Sequence, residues 1–394
     1  MAVDKNTTYR GKKILLGLMS NLNLSTMEAS KALDISAFVT NFNASTKQQT
    51  ESVSLMANDG QQSADNIGSS KFEGTLDLNL ATGLLSTLVG GVIGSSTQSA
   101  LTADAWAADV VTAVGDIVKL STGEYLVAQS VKGDKETGAD EPDITGKSDY
   151  DNLALDGADA DNGVIWKLRD NLYNSPDHKT GFCTDKFFII ERVSEGCGET
   201  NVFDTVSLNV ELTSFNIEKA DGNIAQKQSI SWLATSTKRS SDTDYLDITI
   251  TTEVKPRELT YNAEHIKIRV DGAEYGTAHN FKLNYSRKVT ATDSIEPNTQ
   301  ITKVDAPELT GDITIELDPA EYAIVQKSTE KVITIEFDRG DGEKALATYS
   351  KAVFNAPEVV VNGNEPRLLT IQIKPIGNSS SAMGTFNITT ATAK

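Results

Sequence analysis

Residues 72–91 read FEGTLDLNLATGLLSTLVGG. After Gly74, Thr75, Asp77 and Asn79 alternate with Leu76, Leu78 and Leu80, the period of a strand with one covered face. The period then changes. Leu84, Leu85, Leu88 and Val89 recur at i, i+3 and i+4 spacing, which predicts a helix over Leu80–Val92 with Gly90-Gly91 as its stop. The same grammar returns at residues 309–317, LTGDITIEL. There a strand leads to a predicted helix over Pro319–Lys327, with Asp318 as N-cap, Pro319 in the first turn and Tyr322, Ile324 and Val325 as apolar contacts.

The segments after each unit also correspond. The first unit leads, after a long detour, to Lys186–Arg192 (KFFIIER), then Val202–Phe215, then Ala225–Trp232. The second leads to Val332–Asp338, Ala345–Phe354 and Arg367–Pro375. Ahead of the units the match is looser, Ser36–Leu55 against His265–Val289. In Val206–Phe215, Val206, Leu208, Val210 and Leu212 face one way, and Ser207, Asn209, Glu211 and Thr213 the other. Ile266–Val270, Phe281–Tyr285, Ile313–Leu317, Val332–Phe337 and Leu368–Ile373 read as further strands, with turns at Asp271-Gly272 and Asp341-Gly342. The expected fold class is mainly β: two tandem β-sandwich or barrel folds, each with one short helix, plus a small inserted β module. The expected divisions are 1–100 with 180–238 for the first fold, 101–179 for the insertion and 239–394 for the second. The join falls in the polar run Lys238–Asp244.

The detour changes composition. Gly133–Asp161 holds ten Asp or Glu and two Lys, and reads as a solvated acidic loop without the spacing of a calcium-binding loop. Around it, Trp106, Val114–Val118, Glu124–Ala128 and Val164–Trp166 form the pattern of a small antiparallel module. Trp106, Tyr125 and Trp166 are its candidate carbohydrate contacts, set against the plainer reading that all three pack a small core.

The chain has 394 residues and a formal net charge of −19. So acidic a protein is poorly suited to gripping a nucleic-acid backbone, which takes Lys and Arg. No stretch approaches 18 apolar residues, so no membrane-spanning helix is expected, and Ile14–Met19 is too short for an export signal, which points to a cytoplasmic product. Cys183 and Cys197 are the two cysteines, and whether they are bridged is left open. No catalytic, cofactor-binding or metal-binding motif appears. His178, after Ser175-Pro176-Asp177, reads as a solvated loop residue. His265 is expected to begin a strand and His279 to lie in a turn. No enzyme is expected.

Three segments together resemble the tail tube protein, or major tail protein, of long-tailed bacteriophages with non-contractile-type tails. They are residues 72–91, residues 187–233 (FFIIERVSEGCGETNVFDTVSLNVELTSFNIEKADGNIAQKQSISWL) and residues 306–327 (APELTGDITIELDPAEYAIVQK). The resemblance spans all but the insertion. It implies a virion structural protein that polymerises into stacked rings and forms the conduit for DNA ejection, assembled in the host cytoplasm. The implied partners are other copies of the chain, a tape measure protein and tail-tip proteins, with double-stranded DNA passing through the lumen unbound. It further implies six folds per ring, hence three chains and pseudo-sixfold symmetry if each chain carries two folds. A lumen richer in Asp and Glu than in Lys and Arg is expected, lined by the hairpin strands Ser36–Leu55 and Ile266–Tyr285, although Lys267, Arg269 and Lys282 run against this in the second. The long polar loop Phe38–Asp65 is expected to order only between rings. The insertion is expected to project outward, so that removing Leu101–Asp177 spares assembly. The rival readings are another virion part (baseplate hub, tail terminator or decoration protein) and a carbohydrate-binding surface adhesin.

Overall fold

The change of period at Leu80 falls where a strand ends and a helix begins. The computed structural model describes residues 9–52, 65–159, 162–179, 184–195, 203–219, 227–239, 248–256, 260–274, 278–293, 300–304, 308–316, 330–354, 358–360, 368–375 and 384–392. The chain starts with β1 (Tyr9–Leu18), β2 (Leu22–Asn23), β3 (Glu28–Asp34), β4 (Val39–Ser52), β5 (Asp65–Asn79) and helix α1 (Thr82–Val92). The detour holds β6 (Ser99–Ala100), β7 (Asp104–Ala105), β8 (Ile117–Lys119), β9 (Tyr125–Lys132), β10 (Asn152–Asp159), β11 (Asn162–Arg169) and β12 (Tyr173–Lys179). Then come β13 (Phe187–Glu195), β14 (Phe203–Lys219), β15 (Lys227–Ala234), β16 (Ser236–Arg239) and β17 (Thr249–Val254). The last part carries β18 (Ile266–Val270), β19 (Ala273–Glu274), β20 (Ala278–Ser286), β21 (Val289–Asp293), β22 (Gln300–Val304) and β23 (Glu308–Glu316). It ends with β24 (Lys331–Asp338), β25 (Lys344–Phe354), β26 (Glu358–Val360), β27 (Leu368–Pro375) and β28 (Thr385–Thr390). The protein is mainly β, and among the described residues the strand pairing is antiparallel except at β3–β17 and β7–β8.

One ladder order occurs twice. In the first run β4 pairs β5, β5 pairs β15 and β15 pairs the second half of β14. The first half of β14 carries β13 on one side and β16 on the other, and β13 continues to β1. In the second run β20 pairs β23, β23 pairs β27 and β27 pairs the end of β25. The first part of β25 carries β24 and β28, and β24 continues to β18. The looser correspondence ahead of the units thereby resolves: β18 matches β1, and β20 matches β4. The runs meet where β14 pairs β20, from Ser214 opposite Ser286 to Lys219 opposite Phe281. The result is one sheet of eight strand positions, β4-β5-β15-β14-β20-β23-β27 and, sharing the last place, the end of β25 with β26.

Packing explains the sequence pattern. The main core lies between this sheet and the outer ladders, joining Leu76, Phe215, Ile230, Leu283 and Ile313 to Ile14, Phe187, Ile189, Ile335 and Phe337. A second core covers the far side of β1, β13 and the first half of β14 with Leu15, Phe188, Ile190, Val206 and Leu208, closed by Met27, Ala29 and Ala32. Strands covered on both faces need no alternation, which accounts for the unbroken Phe187–Ile190 and Ile14–Leu16. The alternation of β14 breaks at a register shift between Leu212 and Ser214, after which Phe215 and Ile217 are the buried positions.

All eleven residues of α1 are buried. Gly90-Gly91 does not stop the helix, which runs through both to Val92 with Ile93 as its cap. A Cβ on Gly91 would lie 2.4 Å from Phe187 Cε2 and 2.7 Å from Leu212 Cδ1, so glycine lets the helix lie close on the strands. Gly91→Val is expected to lower stability by about 3 kcal/mol or more, the upper range for overpacking, read as a shifted denaturation midpoint at unchanged slope.

Other expectations change. Val39–Ser52 falls within both the expected polar loop Phe38–Asp65 and the expected hairpin strand Ser36–Leu55, and it is a strand paired along β5; residues 53–64 lie outside the described set. Over Thr40–Ser45 every side chain except the half-buried Phe42 is exposed, which suits the polar sequence of this edge strand. The run 266–285 does not act as one hairpin: β18 belongs to the outer ladder and only β20 to the eight-position sheet. The join does not start as a bare linker, since Lys238 and Arg239 lie in β16 and β17 runs parallel to β3. The predicted helix Pro319–Lys327 and both cysteines lie outside the described residues.

The detour contains a sheet of its own, ordered β10-β11-β9-β8-β7. Its last strand leaves it: β12 pairs β28 of the second run, with β6 beside it. The self-contained part of the insertion therefore ends near Asp170 rather than at 179. Pro176 sits at the register shift between Ser175 and His178, the place where a strand tolerates proline.

Candidate assembly surface

The eight-position sheet has one face in the core and one facing away. Residues on the second face follow from alternation with buried neighbours: Glu73, Thr75 and Asp77 on β5, Ser229 and Ser231 on β15, Ser214, Asn216 and Glu218 on β14. Across the junction they continue as Lys282, Asn284 and Ser286 on β20, Glu308, Thr310 and Asp312 on β23, and Gln372 and Lys374 on β27. The face is a field of hydroxyls and amides in which Glu73, Asp77, Glu218, Glu308 and Asp312 outnumber Lys282 and Lys374 among the described side chains. Asp77 is tied into cross-strand hydrogen bonds, accepting from Asn41 Nδ2 at 3.1 Å and Ser229 Oγ at 2.5 Å. Lys282 Nζ lies 3.9 Å from Glu218 across the junction. A cleft of about 640 Å³ opens beside this face where β4–β5 meets the β20–β21 corner. Arg287, 3% exposed, stands in its wall; its backbone N–H donates to the Thr213 carbonyl at 2.7 Å and its Nη1 to Thr184 Oγ1 at 3.2 Å.

The sheet's two outer edges are strands whose far sides carry no partner among the described residues: β4, which pairs β5, and β26, which pairs β27. An edge strand with free N–H and C=O groups is a template for another strand.

The insertion is clamped to the second run by buried charge. Arg169 of β11 is fully buried. Its Nε donates to Asp149 (3.1 Å), Nη1 to the Asp341 carbonyl, and Nη2 lies 3.4 Å from Glu343. Arg339 pairs with Asp341 at 2.7 Å and with Glu343. Tyr150 stacks on Arg169, 4.0 Å from ring centre to Cζ. Burial first, then the nearby Glu343 carboxylate, push the Tyr150 hydroxyl well above its ordinary pKa, so it stays protonated. Burial alone would lower the Arg339 pKa, but Asp341 and Glu343 raise it past its usual value. The Asp341-Gly342 turn is thus part of a five-residue loop between β24 and β25 that docks on the insertion, with Gln129 Nε2 donating to the Gly340 carbonyl.

The three candidate carbohydrate contacts separate. Trp166 is fully buried in the insertion core with Leu126, Leu153 and Val164. Tyr125 is 3% exposed and packs in a different cluster, its hydroxyl donating to the Leu101 carbonyl at 2.8 Å. Trp106 is half-buried and lines a cleft of about 340 Å³ with Asp104, Val110, Thr112 and Asp116. Asp156 joins the two tryptophans, accepting from Trp166 Nε1 at 2.7 Å and Trp106 Nε1 at 3.3 Å. Two of the three are therefore core, and they form no common platform. Trp166→Ala is expected to cost about 3–5 kcal/mol, seen as early loss of near-ultraviolet dichroism or easier proteolysis within 101–170.

The histidines also differ from expectation. His178 is not solvated: it is fully buried in β12, its Nδ1 2.8 Å from the Gly94 carbonyl. His279 lies in strand β20 rather than a turn. His265 closes a short 3₁₀ turn just before β18, its Nδ1 accepting from the Asn262 N–H at 3.0 Å. Sequence reasoning missed Arg169, Arg339, Asp341 and Glu343: Arg339 pairs locally, but Arg169 meets Asp341 and Glu343 from over 170 positions away, and a fully buried arginine carries no local signal. Among the described residues no group of three or more His, Cys, Asp or Glu is arranged to hold a metal, and no helix is long and apolar enough to cross a membrane. Neither a scan of protein-family models nor a search of curated proteins finds a match to this chain.

Proposed function

We propose that this protein is a virion structural component that polymerises into stacked rings forming the tail tube of a long-tailed bacteriophage, the conduit for DNA ejection. The observation that carries the reading is the doubled ladder order fused into one eight-position sheet whose two edges carry no further strand among the described residues. A repeated unit joined side by side, still offering the first unit's outer edge and the second unit's outer edge, is built to be continued by further copies.

Magnitude selects the ring. Eight strands close on an interior already filled by side chains, so one chain alone makes no conduit. Three chains supply roughly 24 strands, which at about 4.8 Å each give a circumference of about 115 Å and a backbone diameter of about 37 Å before tilt widens it. Side chains reaching about 5 Å inward leave roughly 27 Å, enough for a DNA duplex. On this reading the polar face lines the lumen. Its surplus of carboxylates repels phosphate and lets DNA slide without binding. The partners are copies of the same chain, a tape measure protein held inside and tail-tip proteins at one end; the location is the virion tail, after assembly in the host cytoplasm.

Negative-stain microscopy of the concentrated protein tests this. Long hollow tubes are the expected result. Isolated rings that never stack would favour a baseplate hub or tail terminator, and monomers at every concentration would contradict the reading.

A further inference from the structure

Among the described residues, the eight-position sheet has one junction between the two runs, β14 with β20, and its two open edges repeat the two sides of that junction. At the junction Asn216 stands opposite Asn284, Ile217 opposite Leu283 and Glu218 opposite Lys282. The second half of β14 is held on its other side by β15, and β20 on its other side by β23. In the same way β26 is held by β27, and β4 by β5.

The registers convert this likeness into residue pairs. Trp232 pairs Gly74 in the first run, and Ile373 pairs Gly311 in the second, so Trp232 and Ile373 are equivalent. Three residues earlier on those strands, Ser229 pairs Asn216 and Thr370 pairs Glu358. Glu358 therefore holds the place of Asn216, Val359 that of Ile217 and Val360 that of Glu218. On the other side, Gly74 pairs Ala44 and Gly311 pairs Leu283. Ala44 therefore holds the place of Leu283, Ser45 that of Asn284 and Asn43 that of Lys282.

We propose that β26 of one chain and β4 of a second copy of the same chain form an antiparallel ladder in this register: Glu358 opposite Ser45, Val359 opposite Ala44 and Val360 opposite Asn43. The proposal rests on the tube reading and adds to it the contact that closes the ring. Burial supports it independently. Leu283 and Phe281, covered by β14, are 2% and 1% exposed. Their equivalents Ala44 and Phe42 are exposed and half-buried, the state of a core-facing row that lacks its neighbour. The register sets no like charges against each other, since Glu358 meets a serine. A slip by one residue would turn the core-facing row to the polar side.

The test is engineered cross-linking in a Cys183→Ser, Cys197→Ser background. Residues opposite each other in an antiparallel ladder have Cα atoms about 4.5–5.5 Å apart, inside the disulfide range of about 4.4–6.8 Å. Ser45→Cys with Glu358→Cys is expected to oxidise, in assembled protein, to a covalent species of three chains on a non-reducing gel. Ala44→Cys with Val359→Cys reports the same ladder from its opposite face. The pair Asn43→Cys with Glu358→Cys, two residues out of register, should react roughly tenfold more slowly or not at all. Tubes or rings that form while neither in-register pair cross-links, or while the out-of-register pair reacts faster, overturn the register and leave the tube reading standing. A chain that stays monomeric overturns both.

Discussion

Arg169→Met is expected to lower the stability of the folded chain by about 3–5 kcal/mol, the cost of leaving buried carboxylates without their cation. Asp149, Asp341 and Glu343 converge on that guanidinium, and Glu343 also accepts from the Ala391 N–H at 2.8 Å. Arg339, paired with Asp341 and Glu343, neutralises part of the cluster. Adding Glu343→Gln to the methionine variant should recover part of the loss, because it removes one uncompensated charge. Equilibrium denaturation measures both; a change under about 1 kcal/mol for the single variant would mean that the cluster is open to water. The same contacts revise the expected tolerance to deletion. Removing Leu101–Asp177 takes away Arg169 and most of β12, so the second run loses both its cation and a strand beside β28. Destabilisation is now the expected outcome.

Ala44→Lys is expected to abolish assembly while the single chain stays folded. Ala44 is exposed in the chain, where surface changes are worth about 0.5 kcal/mol or less. In the proposed ring it would take the place that Leu283 holds at the internal junction, 2% exposed. An unpaired ammonium there costs several kcal/mol at each contact. A penalty of about 4 kcal/mol weakens association roughly a thousandfold. Sedimentation velocity should find monomers with an unchanged unfolding midpoint. Wild-type assembly by this variant would place the interface elsewhere.

Much of the fold is legible in the sequence because its signals are local. The strand-to-helix switch at Leu80, the alternation of Val206–Leu212 and the Asp271-Gly272 turn depend only on period and backbone preference, and each stands close to its expected place. The turn residues Asp271 and Gly272 have φ of 51° and 84°, the left-handed pair that a two-residue hairpin demands. Most departures share one cause, burial supplied from afar. Gly90-Gly91 reads as a stop until Phe187 is seen against it. Ser175-Pro176-Asp177 reads as a turn and His178 as a solvated loop residue until β28 pairs with this strand. The charged clamp is invisible for the same reason: nothing near Arg169 or Glu343 in sequence distinguishes them from surface charges. The polar loop reading of Val39–Ser52 has the opposite origin: over Thr40–Ser45 every side chain but Phe42 is exposed, so no apolar alternation marks the edge strand. The aromatic trio suggests a platform because sequence does not tell whether a tryptophan between valines and leucines faces in or out.

On the tube reading, each chain supplies two adjacent, equivalent sectors of a closed ring. Electron cryomicroscopy of the assembled protein, processed without imposed symmetry, observes those sectors themselves. Three chains per ring are expected, with an inner wall continuous through β26–β4 contacts and a pseudo-sixfold repetition in which every second junction lies within a chain. Rings of six whole chains, or a lumen lined by another surface than the face bearing Asp77, Asn216 and Asp312, would contradict it.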